Sequence, residues 1–161
     1  MKFLYRRANT KDVHILKNML YHAIYVPDGK HPVPTKIVNQ PDLRIYYENW
    51  GQKDDMGWIA FDKGTPIGAA WIRIFYGPNK GYGYIDEKTP ELSIALLPKY
   101  RGRGIGSKLI DRILDDVKKK YSAISLSVTQ ENPALQLYQR KEFRKIEISG
   151  NSFIMIRHLD K

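Results

Sequence analysis

Residues 101–106 read Arg-Gly-Arg-Gly-Ile-Gly, and the reading of the fold starts from this run. Three glycines at alternate positions leave a stretch of backbone almost without side-chain cover. After it, Ser107 to Lys119 carries Leu109, Ile110, Ile113, Leu114 and Val117, the stripe of an amphipathic helix. Before it, Glu91 to Leu97 reads as a strand. Strand, bare turn and helix in that order present free N–H groups at a helix N-terminus, an arrangement suited to phosphate. A Walker loop is excluded, because it needs a lysine before its hydroxyl residue and Gly106 stands before Ser107. A dinucleotide fingerprint is excluded too, because glycines at 102, 104 and 106 break its spacing and come late in the chain. A plain connector needs one glycine, and three cost backbone entropy.

Outward from the run, the chain reads as one domain over residues 1–161. Residues 2–7 read as a strand. Thr10 is the expected N-cap of a helix from Lys11 to about Tyr25, with Val13, Leu16, Leu20, Ala23 and Ile24 on one face. Five prolines and glycines between residues 26 and 41 mark a loop or lid, and a short helix is expected from Asp42 to Trp50. Residues 57–62 and 66–76 form an antiparallel pair around the turn Asp62-Lys63-Gly64-Thr65. A Gly/Pro-rich connection, 77–90, leads to the 91–97 strand. After the helix at 104–119 come a strand at 123–129 and a short helix, with Asn132 as N-cap and Pro133 in first position, ending near Glu142. Residues 144–149 and 152–158 close the chain as a hairpin through Gly150-Asn151.

Composition narrows the function classes. Hydrophobic content of 42% and charged content of 27% are those of a globular protein. No apolar stretch is long enough to span a membrane, and the N-terminus lacks a signal-peptide pattern. With no cysteine, the chain has no disulfide, thiolate metal site or cysteine nucleophile, which fits a cytoplasmic setting. Four scattered histidines give no metal-ligand pattern, so no metal is expected. The net charge of +10 calls for an anionic partner. Lys99, Arg101, Arg103 and Lys108 flank the glycine turn, where positive charge serves a polyphosphate. Lys118–Lys120 lies at a helix C-terminus and suits the helix dipole.

The run resembles motif A of the GNAT N-acetyltransferase superfamily, Arg/Gln-x-x-Gly-x-Gly/Ala, with Arg101, Gly104 and Gly106 in its three fixed places. Leu96-Leu97-Pro98-Lys99-Tyr100 resembles the family's strand end and approach. Asn132-Pro133-Ala134-Leu135-Gln136-Leu137-Tyr138, followed by Phe143, looks like its second signature. The resemblance covers the whole chain as an element pattern and residues 91–143 as recognisable sequence. It implies an α/β fold of order β-α-α-β-β-β-α-β-α-β-β, with a mixed, mostly antiparallel sheet and a splayed strand pair holding the cofactor.

The same resemblance implies acetyl-coenzyme A as donor and a primary amine as acceptor. Backbone N–H groups of Arg101, Gly102, Arg103, Gly104, Ile105, Gly106 and Ser107 would hold the pyrophosphate. Ile94, Ala95 and Leu96 would pair with the pantetheine arm as a further strand, and Asn132 would touch that arm. Pro98 cannot donate to a ladder, so the strand ends by there. Tyr138 matches the tyrosine that acts as general acid beside the coenzyme sulfur, with a core aromatic as the plain alternative. Glu91 resembles the glutamate that activates the amine, directly or through water, with a solvated strand end as the plain alternative. Ser125 and Ser127 stand where other members carry a glutamate in the next strand.

Two departures stand out. Five residues separate Asn132 from Tyr138 where many relatives have six, and one residue turns a helix by about 100°. Asn132 is therefore free to cap the helix in place of touching the pantetheine. Glu142-Phe143 replaces the usual Gly-Phe, removing an easy left-handed C-cap.

The acceptor is not named by the sequence. Tyr21, Tyr25, Tyr46, Tyr47, Trp50, Trp58, Trp71 and Tyr76 offer aromatic surface for a cationic amine, or simply core. Asp54-Asp55 offers charge for a basic acceptor, or an exposed loop pair. Small molecules, protein N-termini and lysines all stay open as acceptors, and a homodimer stays open as an assembly. A non-catalytic basic module binding coenzyme A or nucleic acid is the competing reading. The absence of an aromatic-basic nucleic-acid motif speaks against its nucleic-acid form.

Overall fold

The strand β3 (Thr65–Arg73) is buried along almost its whole length, from Ile67 to Ile72. Its near-continuous apolar run is that of a central strand covered on both faces. The structure, a computed structural model, describes residues 2–159. Antiparallel to β3 on one side lies β2 (Met56–Asp62), which in turn pairs with the edge strand β1 (Leu4–Arg7). On the other side β3 pairs antiparallel with β4 (Glu91–Leu96) over Gly68↔Leu96 to Arg73↔Glu91. Beyond β4 come β5 (Ala123–Thr129), β7 (Ser152–His158) and the outer strand β6 (Arg144–Ser149). The order is β1-β2-β3-β4-β5-β7-β6, and only β4 and β5 run parallel.

One helix layer covers each face. On one side α3 (Ile105–Val117) buries Ile105, Leu109, Ile110, Ile113, Leu114 and Val117 against Ala60, Ile67, Ala70, Ile72 and Leu92. On the other, α1 (Val13–Ala23) buries Ile15, Leu16, Met19 and Leu20 with Tyr46, Tyr47, Trp50, Trp71 and Ala95. The short α2 (Pro41–Arg44) and α4 (Ala134–Arg140) complete the expected element order.

Several boundaries differ from expectation. The chain enters α1 through a 3-10 turn at Thr10–Asp12 capped by Asn9, one residue before Thr10. Asn9 Oδ1 accepts from Lys11 N at 2.9 Å, and Asp12 Oδ2 accepts from Asn9 N at 2.8 Å, a reciprocal capping box. Arg6 adds bidentate bonds of 2.8 and 2.9 Å to the Asp12 carboxylate. The expected helix from Asp42 to Trp50 is helical only through Pro41–Arg44, and turns follow as Tyr46, Tyr47 and Trp50 pack inward. The strand expected to reach Tyr76 stops at Arg73. There the guanidinium turns to Asp55 and to the carbonyls of Ile45 and Glu48.

Candidate active site

The parallel pair β4 and β5 meets at one register position, Glu91↔Ser125, supported by a 3.0 Å bond from Ser125 N to Pro90 O. Past that point β4 keeps β3 on one edge and, among the described residues, has no strand on the other. The polar backbone edge of Ile94, Ala95 and Leu96 thus faces a gap in the sheet. This is the splayed pair that the resemblance implies. Side chains alternate along β4: Leu92, Ile94 and Leu96 join the α3-side core, and Ala95 joins the α1-side core.

Beyond the strand end, Pro98–Tyr100 forms a 3-10 turn, and the chain then passes through Gly102 and Gly104 at φ of 77° and 81°. These left-handed values explain why glycine stands at both positions. Gly104 is the N-cap of α3, and no side chain caps that helix. The first helical bond runs from Lys108 N to Gly104 O at 3.2 Å. Arg101 N, expected to open the N–H row, instead donates to Pro98 O at 3.2 Å, while among the described residues nothing accepts a hydrogen bond from any backbone N–H between Gly102 and Ser107. A Cβ added at Gly106 would sit 3.4 Å from Leu137 and 3.6 Å from Leu96. The turn, the end of β4 and α4 therefore meet at one place.

The basic side chains at the turn have partners of their own. Arg101 donates to the His22 carbonyl at 3.0 Å and ties the turn to the end of α1. Arg103 and Lys99 lie over the Tyr100 ring at 5.2 and 5.4 Å, and Tyr100 Oη donates to Asp62 at 2.6 Å. They supply positive field, while the row of N–H groups supplies the open donors.

α4 has Pro133 and not Asn132 in its N-cap position, and Asn132 Oδ1 accepts from Ala134 N at 2.9 Å in a turn just ahead of the helix. Tyr138 is buried in the α3-side core, its ring 6.2 Å edge-on from Phe143. Burial alone pushes its phenol well above the ordinary range, so it holds its proton at neutral pH.

Glu91 is a buried strand residue and not a solvated strand end, with 4% of its surface exposed. Tyr46 Oη donates to Glu91 Oε2 at 2.6 Å and accepts from Tyr82 N at 2.7 Å. Burial raises the Glu91 carboxyl to about 7, against the Tyr46 bond and the nearby Gly83 amide, which both favour the charged form. No hydrogen bond of normal geometry reaches Oε1. The 77–90 connection covers this carboxyl. A Cβ at Gly81 would sit 2.2 Å from Glu91 Oε1, and one at Gly83 would sit 2.6 Å from the β5 backbone at Leu126. Ser125 Oγ donates to Gly83 O at 2.7 Å and clasps the connection to β5.

The Acetyltransferase (GNAT) family model matches residues 21–143. The chain belongs to the GNAT family. Over 95 residues this GNAT chain is 37% identical to an N-alpha-acetyltransferase of Saccharolobus solfataricus, covering 56% of this chain and 57% of that protein. Over 70 residues it is 33% identical to a [ribosomal protein bS18]-alanine N-acetyltransferase of Haemophilus influenzae, covering 43% of this chain and 47% of that one. The matches thus span about half the length of these curated relatives. Among solved structures, PaiA N-acetyltransferase of Thermoplasma acidophilum in complex with coenzyme A has a TM-score of 0.67 at 20% identity, covering 98% of this chain and 99% of that one. Salmonella typhimurium YncA with its cofactor acetyl-CoA has a TM-score of 0.69 at 18% identity, covering 100% and 96%. At these identities the likeness is one of GNAT fold.

Sequence reasoning left the surroundings of Glu91 undescribed. Tyr46 counts in the sequence only as one aromatic among several, and nothing in its spacing singles out Tyr82. One signal was available: Gly81-Tyr82-Gly83 places two glycines around a tyrosine, a pattern that permits close backbone approach. Asp54 and Asp55, considered for a basic acceptor, are both engaged. Asp54 pairs with Lys120 at 2.6 Å, and Asp55 pairs with Arg73 while accepting from Gly51 N and Gln52 N.

Proposed function

We propose that this chain is an acetyltransferase moving an acetyl group from acetyl-coenzyme A to a primary amine, with a peptide or protein α-amine as the preferred acceptor class. The observation that carries the donor half is the gap beside β4 with the unpartnered N–H row at its mouth. The acceptor class rests on the two relatives named for N-alpha and ribosomal-protein alanine acetylation. Acetyl-coenzyme A supplies an activated acetyl group on a thioester. The N–H groups from Gly102 to Ser107, with the dipole of α3 behind them, suit its pyrophosphate. The free edge of Ile94, Ala95 and Leu96 suits the amides of its pantetheine arm.

Glu91 takes the proton of the attacking amine, directly or through water, and an affinity near neutrality suits that task. A backbone N–H near Leu96 donates to negative charge that develops beside the strand end. Tyr138 Oη, protonated at neutral pH, gives its proton to the leaving sulfur. Glu91 lies with the α1-side core and Tyr138 with the α3-side core, so base and acid approach the gap from opposite faces of the sheet.

The test is thiol release from acetyl-coenzyme A with three probes: short peptides with a free α-amine, the same peptides blocked at the N-terminus but carrying lysine, and free amino acids. Release with the first alone is expected. Release confined to the lysine peptides or to free amino acids would reassign the acceptor. No release from any, with no thermal stabilisation by coenzyme A, would end the reading.

A further inference from the structure

We propose that Tyr46 is a positioning residue for Glu91, its hydroxyl engaging Oε2 so that Oε1 is left as the proton-accepting oxygen, with Gly81 keeping that oxygen clear. The proposal rests on the reading of Glu91 as the base. Its ground is geometric. Tyr46 Oη has one proton, and it goes to Glu91 Oε2 at 2.6 Å. The oxygen's accepting side is filled by Tyr82 N at 2.7 Å, so the hydroxyl cannot turn away without losing both bonds. Tyr46 is itself held, because its carbonyl accepts from Trp71 Nε1 at 3.0 Å and its ring packs edge-on to Phe75 at 5.2 Å. A carboxyl pinned through one oxygen has one rotamer, and the other oxygen then points in a fixed direction. That oxygen, Oε1, is buried, and among the described residues it receives no hydrogen bond of normal geometry, the Gly83 amide being its polar neighbour, which is costly unless its site has a use.

Among the described residues, no charged group competes for this carboxyl. Arg73, directly opposite Glu91 on β3, spends its guanidinium on Asp55 and on the carbonyls of Ile45 and Glu48. Ser125, opposite on β5, donates to Gly83 O. Tyr82 presents its backbone N–H to Tyr46 and turns its phenol to Asp42. Only Tyr46 and the Gly83 amide favour the charged form of Glu91.

The experiment is the pH profile of kcat/KM for Tyr46→Phe, using acetyl-coenzyme A and a short peptide with a free α-amine. Losing a hydrogen bond to a charged acceptor raises the carboxyl's proton affinity. The acid limb should therefore move up by about one pH unit. Activity should be several-fold lower at neutral pH and approach that of the unmodified protein at high pH. A purely structural role for Tyr46 lowers activity equally at all pH values and leaves the limb in place. That result would overturn the proposal.

A second readout needs no turnover. Glu91 holds its proton in the fold up to about pH 7 and in the unfolded chain only up to about 4.5. The folded state thus binds the extra proton between those values, and stability to urea falls as pH rises through that window. In Tyr46→Phe the fall should extend about one unit higher, and in Glu91→Gln it should vanish. An unmoved window in Tyr46→Phe counts against the bond itself. If Glu91→Gln keeps the acid limb of activity, the assignment of Glu91 as base falls, and the proposal with it. Should Tyr46→Phe fail to fold, Gly81→Ala places a methyl against Oε1. It should cut kcat at least tenfold with coenzyme A affinity unchanged, and full turnover would exclude Oε1 as the acceptor.

Discussion

Tyr138 keeps its proton because burial removes the water a phenolate would need. Replacing it with phenylalanine leaves the packing against Phe143 in place and removes only the hydroxyl. We expect Tyr138→Phe to lower kcat by about 10²-fold, the usual worth of general acid catalysis, with coenzyme A affinity unchanged in calorimetric titration. Unchanged kcat would leave Tyr138 as a core aromatic. Glu142 makes a different point at the same scale. The family glycine is missing there, yet the backbone keeps the left-handed conformation at φ 68°. A side chain in that region is strained by about 1–2 kcal/mol, and glycine returns part of the gain through a freer unfolded chain. Glu142→Gly should therefore stabilise the fold by roughly 0.5–1 kcal/mol in urea unfolding. Its pairing with Arg157 is solvent-facing on the Glu142 side and offsets little of this.

At the scale of elements, the strand-turn-helix unit around residues 101–106 could be read from sequence because its signals are local. The apolar spacing of α3 and the alternation of glycines depend on neighbours a few residues away. Gly104→Val should test that unit directly. Space around the position is open, but its φ of 81° is hostile to a branched side chain. The turn would have to rearrange, and coenzyme A affinity should fall more than tenfold in calorimetric titration while Tyr138→Phe leaves it alone. Retained affinity would mean that the turn's shape does not matter to the ligand. The surroundings of Glu91 could not be read in the same way. They are assembled from Tyr46 after α2, Gly81 to Gly83 in a connection, Glu91 on β4 and Ser125 on β5, contacts that no short window contains. The cap of the 3-10 turn leading into α1 falls at Asn9, one residue before Thr10, for a related reason. Asn9 and Thr10 are both good caps by type, and the Arg6–Asp12 pair selects Asn9.

For the whole molecule, the order of elements followed from the family pattern, whereas the reach of each strand followed from packing. Tyr76 and the residues before it look like a continuation of β3, but Arg73 turns into the Asp55 site and the strand ends there. The seven strands do not form one uniform sheet. β1 to β4 are joined by extended antiparallel ladders, as are β5, β7 and β6, with register shifts at Ala60/Phe61 and Lys145/Glu147, while a single register pair joins the two groups. Between these two plates the backbone pairing is confined to Glu91 and Ser125, with the Ser125–Gly83 clasp and the shared α3-side core as ties. Plates so weakly laced should open with separate free energies. Hydrogen exchange in the unliganded protein should then show distinct protection for β2–β3 and for β5–β7. Coenzyme A, which the proposed function places across the gap, should draw the two values together. Equal protection before any ligand is added would show that the plates already melt as one.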